Sequence, residues 1–201
     1  MLAKNSPVFS RQGWVYELKY DGWRALADRK QILTRNRLDI TARFPPIATV
    51  LSELPEGFVL DGEVCLLDKR GVPDFEALQT SRRRGYTLAF FAFDLLFDKG
   101  ADLRGLPLLE RKARLRKLIP KNHLHLRYVD HLETHGELLY AYALSIGMEG
   151  VVAKKADSKY IAGTNSYWLK FKPSGAQTGF KRPLRQRSAK DLVSKRKAAS
   201  K

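Results

Sequence analysis

Cysteine is almost missing from this chain. Cys65 stands alone among 201 residues, which excludes an internal disulfide and any zinc site built from thiolates. Its apolar strand surroundings read it as a small buried hydrophobe. Long apolar runs are missing too: nothing approaches the length of a membrane span, and Met1-Leu2-Ala3-Lys4-Asn5-Ser6-Pro7 has no signal-peptide core. The expectation is a soluble cytoplasmic chain with no membrane partner. Acid is scarce against base, with 21 Asp and Glu set against 37 Lys and Arg for a formal net charge of +16. That excess says little about fold, but it favours a polyanionic partner, because neutralising phosphates releases counterions. No internal repeat is visible. His131 and His135 flank Glu133, but a zinc-protease helix needs its glutamate directly after the first histidine, so the cluster reads as surface histidines.

Two hundred and one residues with 44% apolar composition suit one domain with a sizeable core and a tail. Trp14 to Lys19 alternates as a strand, Asp21-Gly22 signals a turn, and Trp23 to Asp28 reads as the returning strand of a hairpin. Further strands are expected over residues 31–36, 57–68, 87–97, 124–129, 149–155 and 167–172. Helices are expected over 43–54, 74–81 (with an Asp74 cap), 108–119 and 133–146, the last closed by Gly147. Antiparallel-looking strands alternating with helices indicate an α+β fold, with helices covering sheet faces. Beyond Pro173 the periodicity ends and nine basic residues face the single acid Asp191. The division predicted is a folded domain over 1–173 and a basic, disordered tail over 174–201.

Lys19 sits at a strand end with Arg24 near in sequence, the arrangement expected of an amine nucleophile. The octapeptide Glu17 to Arg24 alone fits a surface hairpin with a solvated lysine equally well. Asp61 and Glu63, two apart on an otherwise apolar strand, share one face, and such acids call for a cation, a metal or ligand hydroxyls; edge-strand acids facing water are the other reading. Glu149 stands at the mouth of a second apolar strand. Lys170 and Lys172 share a face opposite Leu169 and Phe171, where two ammonium groups can hold phosphate.

Taken in order, Lys19-Tyr20-Asp21-Gly22 with Arg24, Arg35-Asn36, Leu60-Asp61-Gly62-Glu63, Phe91-Ala92-Phe93-Asp94, Glu149-Gly150-Val151-Val152-Ala153-Lys154 and Lys170-Phe171-Lys172 resemble the nucleotidyltransferase motifs of ATP-dependent DNA ligases. The nearest likeness is to the ligase domain of bacterial end-joining ligases. It runs to about Pro173 and includes Gly71-Val72-Pro73-Asp74-Phe75 and Asp157-Ser158-Lys159-Tyr160.

The resemblance implies an ATP-grasp-like nucleotidyltransferase fold, with antiparallel sheets flanked by helices. It implies that Lys19 attacks the α-phosphate of ATP, forming lysyl-AMP and releasing pyrophosphate before AMP passes to the 5′-phosphate of a DNA break, in repair. It puts Arg24 and Glu63 at the ribose, Arg35 near the phosphate and DNA end, Phe93 on the adenine ring, and Glu17 and Leu18 with Leu2 and Ala3 around the base pocket. Glu149 and Glu63 would bind Mg²⁺ or Mn²⁺, and Lys170 and Lys172 would grip the α-phosphate. The expected partners are nicked or broken DNA, with the chain monomeric. Family members follow the last lysine pair with an oligonucleotide-binding barrel, and Ser174 to Lys201 is too short and polar for one. The expectation is therefore no such barrel within these residues, with a partner protein as its alternative source. An RNA ligase, a capping-type nucleotidyltransferase and a catalytically impaired remnant that only binds nucleotide or DNA remain as alternatives.

Overall fold

The computed structural model describes residues 1–80 and 84–173. The expected tail over 174–201 lies outside these residues. Two sheets stand face to face. The first has the order β1 (Leu2–Asn5), β11 (Thr164–Phe171), β10 (Val151–Lys155), β2 (Trp14–Leu18) and β9 (Leu132–Glu133). The second has β4 (Ile32–Thr34), β3 (Trp23–Ala27), β5 (Val59–Leu67), β6 (Thr87–Asp98) and β7 (Ala101–Asp102), with β8 (Leu126–Tyr128) paired to β6. Most pairs are antiparallel, as expected, but β1 with β11 and β8 with β6 are parallel, so both sheets are mixed.

Helices cover the outer faces. The main core lies behind the second sheet, where Leu60, Val64, Leu66 and Phe90 meet Ile47, Val50 and Leu51 of α1 (Pro45–Glu53) and Leu115 of α3 (Leu108–Leu118). Pro45 occupies the first turn of α1, where its missing N–H costs nothing. In α2 (Phe75–Thr80) the Asp74 carboxylate accepts the Ala77 N–H at 2.8 Å, the cap read from the sequence. Behind the first sheet, Tyr16, Val151, Ala153 and Phe171 pack on Leu139 and Ala143 of α4 (Gly136–Ser145). Gly147 ends that helix at φ +83°. The helix starts three residues later than its pattern predicts, because Leu132 and Glu133 pair with Tyr16 and Val15 as an edge strand.

The expected hairpin over 14–28 does not form. β2 pairs with β10 and β9, whereas β3 pairs with β4 and β5, so residues 19–22 cross from one sheet to the other. Gly22 permits the crossing: a Cβ there would lie 2.2 Å from the Val64 carbonyl oxygen on β5. The segment that resembles a turn is therefore the link that sets Lys19 between two sheets.

Candidate active site

Alternation decides what reaches the space between the sheets. On β10 Val152 and Lys154 point inward, and on β11 Trp168 and Lys170 do so, while Val151, Ala153 and Phe171 fill the core behind. From the second sheet come Arg24, Arg35, Glu63 and Phe93. Phe93 has no opposite number on β5, since Asp61 faces Asp94 and Gly62 faces Ala92; this bulge re-aims the ring toward the cleft. The cleft holds about 420 Å³ and is lined by Leu2, Ala3, Glu17, Leu18, Lys19 and Tyr20 together with those residues. A larger hollow of about 480 Å³ lies at the α3–β8 loop, among Arg116, Lys121, His123 and Arg127. It holds none of the predicted site residues, so chemistry and not size selects the cleft.

Lys19 is fixed from both ends. Its backbone N–H donates to the Gly150 carbonyl at 2.9 Å, and its Nζ pairs with Glu149. Gly150 has φ +147°, and a Cβ there would stand 2.0 Å from the Phe171 carbonyl oxygen, so glycine alone lets the strand carry Glu149 to Lys19. The other Glu149 oxygen pairs with Lys172. Asp21 lies close enough to interact with Lys19, Lys172 and Glu149; burial, with the Glu149 charge beside it, raises its carboxyl above the usual range. The Lys19 partner is thus an acid, and not Arg24 as its sequence proximity suggests. Arg24 turns to Asp61, with Nε–Oδ1 3.0 Å and Nη2–Oδ2 2.6 Å, and to the Met1 carbonyl. Asp61 is fully buried and also accepts the Tyr160 hydroxyl at 2.8 Å. Glu63 sits opposite Arg24 in register, and burial pushes its carboxyl up to about 8 against the pull of Lys19 and Arg24.

Deeper in, Glu17 is ion-paired to Lys112 of α3 and to Lys154. Burial alone would raise its carboxyl; the two lysines outweigh that and hold it below its ordinary value. Phe93 meets Trp168 edge-on at 5.8 Å, and the Arg24 guanidinium lies 5.4 Å from the Phe93 ring centre.

Residues 1–172 match the family described as ATP dependent DNA ligase domain. The chain belongs to that family. Over 170 residues it is 38% identical to the multifunctional non-homologous end joining protein LigD of Pseudomonas aeruginosa, covering 81% of this chain and 20% of that protein. The SPbeta prophage-derived DNA ligase-like protein LigB of Bacillus subtilis is 31% identical, over 81% of this chain and 62% of its own length. Among solved structures, the ligase domain of Mycobacterium tuberculosis LigD superposes with a TM-score of 0.74 at 34% identity, covering 85% of this chain and 58% of that one. The chain thus spans about a fifth of the LigD relative it matches.

Within this ligase domain, the predicted residues Glu17, Leu18, Lys19, Arg24, Arg35, Glu63, Phe93 and Lys170 all line one cleft, Glu149 joins it by pairing with Lys19, and Lys172 pairs with Glu149 in turn. Sequence reading left Lys112, Asp61, Tyr160 and Lys154 out of the site. Asp61 carried a signal, the shared face with Glu63; Lys112 carried none, since it sits in a basic helical stretch whose burial only the tertiary packing reveals. As to a metal, the cleft's carboxylates are the hard oxygen donors that suit Mg²⁺ or Mn²⁺. Among the described residues no group of three or more acid, histidine or cysteine side chains converges. The set fits an ion held by one or two carboxylates and completed by substrate phosphates, the usual manner of Mg²⁺.

Proposed function

We propose that this domain carries out nucleotidyl transfer for a DNA ligase that uses ATP. The Lys19 amine attacks the α-phosphorus of ATP; the phosphorus–nitrogen bond forms, the bond to pyrophosphate breaks, and AMP is held on Lys19 until a 5′-phosphate of a DNA break accepts it. The observation that carries the reading is the meeting of Lys19, Glu149 and Lys172 at one point, with Lys170 on the same cleft face. Phosphoryl transfer is mainly positioning and charge stabilisation, and those two tasks are what a fixed amine and convergent cations supply. Lys170 and Lys172 take the α-phosphate, Arg24 and Glu63 the ribose, Phe93 the adenine face, with Glu17 and Leu18 around the base. Arg35 stands nearest the phosphate and DNA end. Glu149, with Glu63, holds Mg²⁺ or Mn²⁺, which when bound offsets negative charge on the phosphates.

Orienting the pyrophosphate that leaves during adenylation, and gripping the DNA for strand sealing, are tasks for an oligonucleotide-binding barrel in further sequence or in a partner. The chain acts as a monomer in the cytoplasm, in DNA repair, with no membrane partner. The test is incubation with α-labelled ATP and Mg²⁺ or Mn²⁺. A covalent adduct is expected on the wild-type chain and none on Lys19→Ala; added nicked duplex DNA then takes the label. Label retained by Lys19→Ala, or transferred only to nicked RNA or taken only from GTP, would overturn the reading.

A further inference from the structure

Tyr160 is tied to the cleft without lining it. It stands in the loop over 156–163, between β10 and β11, and three hydrogen bonds pin that loop to residues 104–111. The Ala156 carbonyl accepts the Leu109 N–H at 3.2 Å, the Ser158 carbonyl accepts from Arg111 Nη1 at 2.9 Å, and the Tyr160 N–H donates to the Arg104 carbonyl at 2.9 Å. The ring is held as well, edge-on to Trp168 at 6.3 Å between centres and 5.9 Å from the Arg111 guanidinium. From this fixed base the hydroxyl crosses to the second sheet and donates to Asp61 Oδ2 at 2.8 Å. Burial beside the Asp61 charge raises the phenol well above its ordinary range, so the proton stays and the group is always a donor.

Asp61 is fully buried, so no water orients it. Its fork with Arg24 fixes the two side chains relative to each other and leaves the pair free to pivot together; a third donor, arriving from an independent element, removes that freedom. Arg24 gives its Nε–H and one Nη2–H to Asp61 and one Nη1–H to the Met1 carbonyl. One N–H is left on each terminal nitrogen. The guanidinium lies 5.4 Å from the Phe93 ring centre and 5.5 Å from that of Trp168, on the cleft wall, so where those two donors point depends on how Asp61 is held.

We propose that Tyr160 is a positioning residue: through Asp61 it sets the direction in which Arg24 offers its remaining donors to the ribose hydroxyls of the nucleotide. This rests on the nucleotidyl-transfer reading, which puts Arg24 at the ribose, and adds to it a residue from outside the cleft. A guanidinium that pivots loses its hold on ground state and transition state alike, so the loss falls on the ATP concentration required and not on the rate once ATP saturates. A hydrogen bond to a charged group corresponds to about tenfold or more.

The experiment is single-turnover self-adenylation of the full chain with rising ATP, 2′-deoxy-ATP or 3′-deoxy-ATP, each labelled at the α-phosphate, for wild type, Tyr160→Phe, Asp61→Asn and the double variant. Tyr160→Phe is expected to raise the half-saturating ATP concentration about tenfold, to change the rate at saturation less than about threefold, and to shrink the wild-type preference for ATP over the deoxy analogues to about twofold or less. In the Asp61→Asn background the same change should add less than about twofold, because the route to Arg24 is already cut. A tyrosine that only supports the loop would weaken all three nucleotides alike, so a preference kept intact in Tyr160→Phe overturns the proposal. An undiminished effect of Tyr160→Phe on top of Asp61→Asn overturns it too, as does a wild type that shows no preference among the three. If thermal melting shows that Tyr160→Phe does not fold, Asp61→Asn is read alone for the loss of preference, and retention there overturns the proposal. No adduct from any nucleotide on the wild type overturns the ligase reading and this proposal with it, whereas adducts with unchanged preference in the variants overturn this proposal alone.

Discussion

The fold sets the proton affinity of Glu63 through burial, with two cations pulling the other way. Burial outweighs the attraction of Lys19 and Arg24 and pushes its carboxyl to about 8. A carboxyl raised in the folded state binds its proton more tightly than in the unfolded chain. Its contribution to stability is full below the unfolded value near 4.5 and is lost as pH climbs through about 8. Thermal melts between pH 5 and 8.5 are therefore expected to fall for the wild type, and Glu63→Gln, which carries no titrating group, should fall less. Identical slopes in the two proteins would show that Glu63 titrates normally. Sequence alone could place Glu63 and Asp61 on one face, because a strand alternates by two. It could not say that Asp61 would be consumed by Arg24 and Tyr160, since those partners come from another strand and from a loop nearly a hundred residues on.

Elements position these residues, and α3 does so for both sheets at once. Two consecutive cations leave it in different directions: Lys112 reaches Glu17 on β2, while Arg111 reaches Asp94 on β6. Arg111 is fully buried, with Nε–Oδ1 and Nη2–Oδ2 both 2.8 Å, and its remaining nitrogen donates to the Leu106 and Ser158 carbonyls. All three guanidinium nitrogens donate, so the pair is a tie and not a surface decoration. Replacing Arg111 by methionine leaves the buried Asp94 carboxylate without its ion-pair partner, which costs about 3–5 kcal/mol. In a chain of this size that is a drop in melting temperature of roughly 6–20 °C, and a shift under about 2 °C would contradict it. The basic helical pattern gave the helix itself. That two of its cations face inward was hidden, because a charge run reads as a solvated face unless the acids that meet it are known to lie beneath. The hairpin expected over 14–28 failed for a related reason: a turn signal records a change of direction, and whether the next strand returns to the same sheet depends on what Gly22 is pressed against.

At the scale of the molecule, two mixed sheets enclose one cleft, and the local order of motifs proved a better guide to its contents than the strand boundaries did. The charge is distributed on the same scale. Nine of the chain's basic residues, against one acid, lie after Pro173, so half of the net +16 belongs to residues 174–201. If that segment grips the DNA backbone, its contribution is electrostatic and must appear in the salt dependence, because each phosphate neutralised adds about 0.9 to the slope of log affinity against log salt. Replacing Lys181, Arg182, Arg185, Arg187, Lys190, Lys195, Arg196, Lys197 and Lys201 by glutamine keeps the length and removes the charge. Binding to a nicked duplex, titrated from about 50 to 200 mM salt, is expected to weaken and to lose several units of slope. Self-adenylation with ATP should stay within about twofold, since the groups that position Lys19 are untouched. An unchanged slope would place the DNA grip on the folded domain, whose own surplus of lysine and arginine would then have to carry it.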